Sequence, residues 1–282
     1  MSEVATAIVS GVSHLGMDPC VQLDASRDNA ERLQGALDLA AKEGGGVVLL
    51  PAGVWPISAS LRLPDNVALR GVSTTASVLR RLEGDGPCIE FGGREGNALG
   101  EGCTVESLTL DGGSGRDEPT SSGVLINGDA AYGIVRHVKI SNMNGDGIRC
   151  EGGTINCLYL EGISIESCLG SSIYLQPARS SSGIFLSDIS IRSANPINSS
   201  RPCAVWLRAR CMISQLHVDL VRMGHVGVFF DKGSDYSSVS GLYVGGDHDE
   251  TVVMAPGVRN IPLSNVVTRR GRQNHVPDQL GL

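Results

Sequence analysis

A hydrophobic phrase, apolar-x-x-apolar-x-apolar, returns about once every 26 residues through most of this chain. It reads Val105-Leu108-Leu110, Val135-Val138-Ile140, Leu160-Ile163-Ile165, Leu186-Ile189-Ile191, Ile213-Leu216-Val218 and Val239-Leu242-Val244, and a weaker copy, Leu263-Val266, closes the series. Successive copies start 30, 25, 26, 27, 26 and 24 residues apart. A second short phrase, often opened by glycine, follows each of the first six: GVLI, GIRC, SIYL, AVWL, GVFF and TVVM. Period-2 alternation within these phrases means short strands with one buried face. Self-similarity at this period means a solenoid, in which each turn is too small to bury its own apolar face and is completed by its neighbours. Helical repeats are excluded, because the apolar spacing is 2 and Gly, Ser and Asn punctuate every turn. The expectation is an all-β chain, a right-handed parallel β-helix of about seven to nine coils.

A solenoid grows in one dimension, so 282 residues are read as a single domain, 1–282. Thirty-seven glycines and 4% aromatics suit tight recurring corners around a narrow core of Val, Ile and Leu. The net charge of −7 is accompanied by no basic block, which argues against a nucleic-acid partner. The N-terminal twenty residues have neither a basic start nor a sustained apolar run, and nothing in the chain approaches membrane-spanning length. A cytoplasmic protein with mostly reduced cysteines is therefore expected; the eight Cys include no CxxC pair, and Cys150 alternates inward with Ile148. Three Lys against twenty Arg is the bias of a GC-rich bacterial genome.

Residues 1–26 read as a leader packed along the first turns, and RDNAERLQGALDLAAKE (27–43) as an amphipathic helix. Leu33, Leu37, Ala40 and Ala41 share one face, Ser26 or Asp28 is placed to cap the start, and Gly44-Gly45-Gly46 ends it. Such a helix covers the open end of a β-helix, which otherwise exposes core and unpaired strand edges. Coils then occupy 47–270, with 271–282 as a C-terminal tail. The run from Asp28 to Val72, DNAERLQGALDLAAKEGGGVVLLPAGVWPISASLRLPDNVALRGV, resembles the N-terminal cap and first coil of the pectate lyase-like (pectin lyase fold) superfamily. That resemblance implies the β-helix, and a substrate groove along the outer face of the sheet built from the glycine-opened strands. It leaves function open, because polysaccharide lyases, glycoside hydrolases, epimerases, phage tailspikes and non-carbohydrate enzymes share the fold.

Alternation sorts the groove strands into inward pairs from Ile89/Phe91 to Val252/Met254. The residue between each pair points outward, giving the column Glu90, Leu125, Arg149, Tyr174, Trp206, Phe229, Val253; two residues on stand Gly92, Asn127, Glu151, Gln176, Arg208, Asp231, Ala255. Adjacent strands lie about 4.8 Å apart, so Tyr174, Trp206 and Phe229 are expected to form one aromatic plate. Arg149, Glu151, Arg208 and Asp231 are the candidate catalytic groups beside it, and Leu125, Asn127, Gln176 and Val253 complete a substrate-binding surface. Cover of the plate by a terminal segment or long loop is the structural alternative.

Two further candidates lie in the loops entering the groove. NGDGI resembles the NTDGI of polygalacturonases, with Asp146 at the acid position, and His225 stands in GHVG. The next coil has Ser171-Ser172 where that family pairs a second Asp, so the two or three converging carboxylates of a hydrolase are missing; a corner-holding role for Asp146 is the alternative. Glu151 and Asp231, three coils and roughly 14 Å apart, are too distant to share a cation. The Asp247-His248-Asp249-Glu250 loop reads as an exposed charged turn, and no metal or cofactor is expected. On the neighbouring sheet the outward set His137, Lys139, Glu166, Asp188, Arg192, His217, Asp219 and Tyr243 alternates in charge between coils, as a solvated face does.

These features favour a cofactor-free enzyme of isomerase, cyclase or lyase type acting on an elongated, partly apolar small metabolite. A carbohydrate-active lyase, hydrolase or epimerase with an oligosaccharide substrate is the second reading. A non-catalytic glycan-binding or tailspike-type module is the third, although the chain shows no assembly stalk.

Overall fold

The computed structural model describes residues 4–10, 20–82, 86–92, 100–113, 122–194, 203–221 and 225–271. Among them, strands stack coil on coil into a parallel β-helix of about seven turns. One sheet has eight parallel strands, which carry the glycine-opened phrases, and the larger sheet contains seventeen. The core column expected from the repeat is present: Ile163 pairs with Ile189, Ile189 with Leu216, Leu216 with Leu242 and Leu242 with Val266. Val138, Ile163, Ile189, Leu216 and Leu242 are each at most 2% exposed.

The phrase spacing has a backbone cause that alternation alone does not supply. Two residues separate the first and second apolar positions, which in a straight strand would send the two side chains to opposite faces. In each copy of the phrase the second of those two residues is left-handed: Ser107, His137, Gly162, Asp188, Gln215, Gly241 and Asn265 have φ between 50° and 76°. One such residue bends the strand and restores the inward phase. Gly carries no side-chain penalty there, and Asn and Asp tolerate the conformation best among the rest.

The helix runs from Ala30 to Lys42, shorter at its start than the expected 27–43, and buries Leu33, Ala36, Leu37 and Ala40. Its N-cap is Asn29 and not Ser26 or Asp28. The Asn29 amide instead ties down the incoming chain, donating to the carbonyls of Asp24 and Arg27 and accepting from the Asp24 N–H. Asp28 accepts from the N–H groups of Ala30 and Ser58, pinning the helix start to the first coil. At the other end Gly44 N–H bonds the Ala41 carbonyl and Gly45 N–H that of Ala40, a Schellman closure with Gly44 at φ 87°. Part of the leader forms strands: Val4–Ser10 pairs antiparallel with Cys20–Asp24 and with Gly46–Leu50, covering the first strand edge. The proposed tail beyond Gly271 lies outside the described residues.

Candidate functional site

The groove sheet stacks in the expected register. Glu90, Leu125, Arg149, Tyr174, Trp206, Phe229 and Val253 pair in sequence across seven strands. Beside them Asn127 pairs with Glu151 and Glu151 with Gln176. Arg208 and Asp231 continue that second row, each donating its backbone N–H to the preceding coil. The inward partners Ile148, Cys150, Ile173, Leu175, Val205, Leu207, Val228 and Phe230 are at most 1% exposed, which fixes the outward face of these strands. Val252 and Met254, in the last groove strand, are only half-buried.

The plate exists, with unequal members. Trp206 and Phe229 have ring centroids 4.8 Å apart at 47°, and Tyr174 meets Trp206 edge-on at 6.2 Å and 80°. Tyr174 is only 4% exposed. The Arg149 guanidinium lies 5.3 Å from its ring centroid, a cation–π contact that covers it. Trp206 and Phe229 are half-buried, so the open part of the plate is narrower than the three-ring surface expected from alternation.

Both groove arginines are already paired. Arg149 Nε donates to Glu151 at 2.8 Å and its Nη1 to Asp146 at 3.1 Å. Burial opposes the Arg149 charge, but its hydrogen bonds and the charges of Glu151 and Asp146 outweigh burial and make it still harder to deprotonate. Arg208 Nε lies 3.3 Å from Asp231 Oδ2, the same oxygen that receives the Trp206 indole N–H at 3.3 Å. Asp231 thus holds the orientation of the central ring, while its other oxygen accepts the Lys232 N–H at 2.7 Å.

The loop candidates separate. Asp146 is buried, and its Oδ1 accepts the Ser171 backbone N–H of the next coil at 2.7 Å, so it holds a corner as well as Arg149. His225 is 7% exposed, and its carbonyl accepts the Asp249 N–H. His248 is buried between Gly246 and Thr251, whereas Asp247, Asp249 and Glu250 are exposed. No three metal-ligating side chains converge among the described residues. On the larger sheet Glu166 pairs with Lys139 and Arg192, and His217 with Asp219 at 3.0 Å, where His217 and Asp219 are 47% and 44% exposed. That face is solvated, as the alternating charges imply.

Two features went unread in the sequence. Glu106 is buried between Arg70 and Arg136 of the flanking coils. Tyr159 and Phe185 stack with centroids 4.9 Å apart and planes 5° from parallel. The signal for the stack is positional, since each ring immediately precedes the first apolar residue of its phrase. The seven cysteines with described side chains are free, and Cys150, Cys168 and Cys103 have thiols pushed up to about 12 by burial.

No family model matches the chain. Mannuronan C5-epimerase AlgE4 of Azotobacter vinelandii is 30% identical over 162 residues, which is 52% of this chain and 29% of the epimerase. AlgE1 of the same organism is 29% identical over 162 residues, 11% of its length. The chain therefore spans less than a third of these curated relatives. Among solved structures, the AlgE4 A-module aligns over 92% of this chain and 95% of its own, with a TM-score of 0.42 and 15% identity. ORF18 of Geobacillus virus E2 aligns over 93% and 61%, with a TM-score of 0.47 and 14% identity. The tailspike gp49 of Acinetobacter baumannii bacteriophage Fri1, a capsular polysaccharide depolymerase, aligns over 86% and 62%, with a TM-score of 0.36 and 14% identity. This chain is a parallel β-helix. That statement rests on its own strand register, and the fold is the one that the resemblance to the pectate lyase-like superfamily implied.

Proposed function

We propose that this protein is carbohydrate-active and that it binds an oligosaccharide along the groove sheet, across the strands that carry Tyr174, Trp206 and Phe229. The observation that carries the reading is the in-register plate, with Trp206 and Phe229 partly exposed and the indole held by Asp231. A sugar ring presents an apolar face to such a surface and hydrogen-bonding hydroxyls at its rim, and the rim here supplies Asn127, Glu151 and Gln176. The likeness to mannuronan C5-epimerases over 162 residues supports this reading over the small, partly apolar metabolite expected from the sequence.

Among the three carboxylates beside the plate, Glu151 has the most open side chain, 41% exposed against 20% for Asp231 and 6% for Asp146. Proton transfer to or from a bound sugar is assigned to it. A two-carboxylate hydrolysis is disfavoured by the same geometry. Glu151 and Asp231 stand roughly 14 Å apart along the stack, beyond the separation that either glycosidase mechanism uses.

The test is Trp206→Ala, assayed by oligosaccharide binding and by turnover. Losing a large ring from the centre of a binding surface costs about 2 kcal/mol or more, which is about a 30-fold loss of affinity. The melting temperature should move by only a few degrees, because the ring is partly outside the core. Unaltered binding would refute the groove as the site, and global unfolding would make the plate structural.

A further inference from the structure

We infer that the central subsite of this groove, over Trp206 and Phe229, accepts an uncharged sugar and discriminates against one carrying a carboxylate. The inference rests on the carbohydrate reading and deepens it. Around the plate, Arg149 is shared between Glu151 and Asp146, and Arg208 is held by Asp231. Three carboxylates therefore face two guanidiniums. Among the described residues no groove-floor cation is left uncommitted, and the excess charge of these five side chains is negative.

An acidic sugar on the plate would have to displace one of these carboxylates from its arginine or sit beside them without a counter-charge. Both are costly where side chains are partly desolvated. Arg149 and Arg208 are only 33% and 38% exposed, so water screens them incompletely. The other cations nearby, Arg179, Arg210 and Lys232, stand exposed at the corners that follow the groove strands. There, salt and water weaken their pull on a ligand lying over the rings. An uncharged ring asks only for stacking and for hydrogen-bond partners. Carboxylate oxygens that already accept from arginine keep spare lone pairs for sugar hydroxyls.

The experiment titrates the protein with neutral and uronic-acid oligosaccharides matched in length and linkage, following the fluorescence of Trp206. The other tryptophan, Trp55, is fully buried with its N–H on the Pro51 carbonyl, and Trp206→Phe identifies its constant background. The neutral series should bind about tenfold or more tightly, with little change between low and high salt. The double variant Glu151→Gln/Asp231→Asn keeps acceptors for both arginines and for the indole but frees their charge. It should shift the ratio of uronate to neutral affinity about tenfold towards uronates, a ratio from which any loss of sugar hydrogen bonds common to both series cancels. If that variant does not fold, Glu151→Gln alone carries the test, since the side chain is 41% exposed. Preferential uronate binding that falls with salt, or no shift of that ratio in the variant, would overturn the inference and leave the glycan site standing. No response to either series would overturn the glycan site as well.

Discussion

Asp146 offers the most discriminating single perturbation, because the structure gives its two oxygens different jobs. Oδ1 accepts the N–H of Ser171, a fully buried residue, at 2.7 Å, and Oδ2 receives Arg149 at 3.1 Å. Asp146→Ala leaves the Ser171 N–H orphaned in the interior, which costs about 1–3 kcal/mol. It also removes one of two carboxylates from a half-buried guanidinium, which adds about 1–2 kcal/mol because Glu151 remains. The sum is about 2–5 kcal/mol, and a chain of this size loses about 2–4 °C of melting temperature per kcal/mol. The Ala variant should melt roughly 4–20 °C lower. Asp146→Asn still presents an acceptor to Ser171 and loses only the charge, so it should cost about 1 kcal/mol. Equilibrium urea unfolding with a shared m-value, alongside thermal melts, measures both variants. If Asn is as damaging as Ala, the charge and not the cross-coil hydrogen bond is what matters. If Ala is within about 0.5 kcal/mol of the parent protein, the corner does not depend on Asp146, and its place in NGDGI would have to be explained by chemistry.

Ile189→Asp puts a carboxylate into a 2%-exposed core column and should abolish soluble expression, because an unpaired buried charge costs several kcal/mol; a soluble, cooperatively melting variant would contradict the column. Among the cysteines with described side chains, native thiol labelling should modify Cys157 first, since the other six are buried, while Cys103, Cys150 and Cys168 stay inert with thiols pushed up to about 12. After denaturation without reductant all eight should react, in keeping with the reduced compartment expected from the sequence. Burial opposes the Glu106 charge, but hydrogen bonds and charges from Arg136 and Arg70 outweigh it and hold the carboxyl below its ordinary range. A depressed folded-state pKa means that this clamp stabilises fully above the unfolded value of about 4.3 and is lost as pH falls through the folded value. Glu106→Gln should therefore lower stability at pH 7, with the gap to the parent closing towards pH 3; a gap independent of pH would refute the clamp.

The coil architecture and the groove columns were legible because a buried core forces alternation, and alternation leaves one register per strand. Arg149, Tyr174, Trp206 and Phe229 could be aligned from their inward neighbours alone. What alternation cannot convey is reach. Nothing in the spacing shows that Arg149 folds over Tyr174 and hides it, or that Asp231 turns towards the indole, because both depend on side-chain torsions beyond the β carbon. Asn29 was missed for a related reason, since it binds the chain before the helix and gives no side-chain bond to the helix itself. The Arg70–Glu106–Arg136 clamp joins residues 36 and 30 positions apart, and pairing at that range becomes visible only once coils are stacked.

The left-handed residue in each copy of the phrase also bears on how the stack finds its alignment during folding. Antiparallel strands inherit their alignment from the hairpin between them, but parallel neighbours separated by about 26 residues inherit nothing from their connection. A slip of one residue would place Val138, Ile163 or Ile189 at a bend of positive φ, where β-branched side chains are strongly disfavoured. Each bend therefore penalises the misaligned coil locally, whatever lies above it in the stack. Replacing His137 or Gln215 by Asn should speed productive stacking, and replacing either by Val should lead to off-register, aggregating chains.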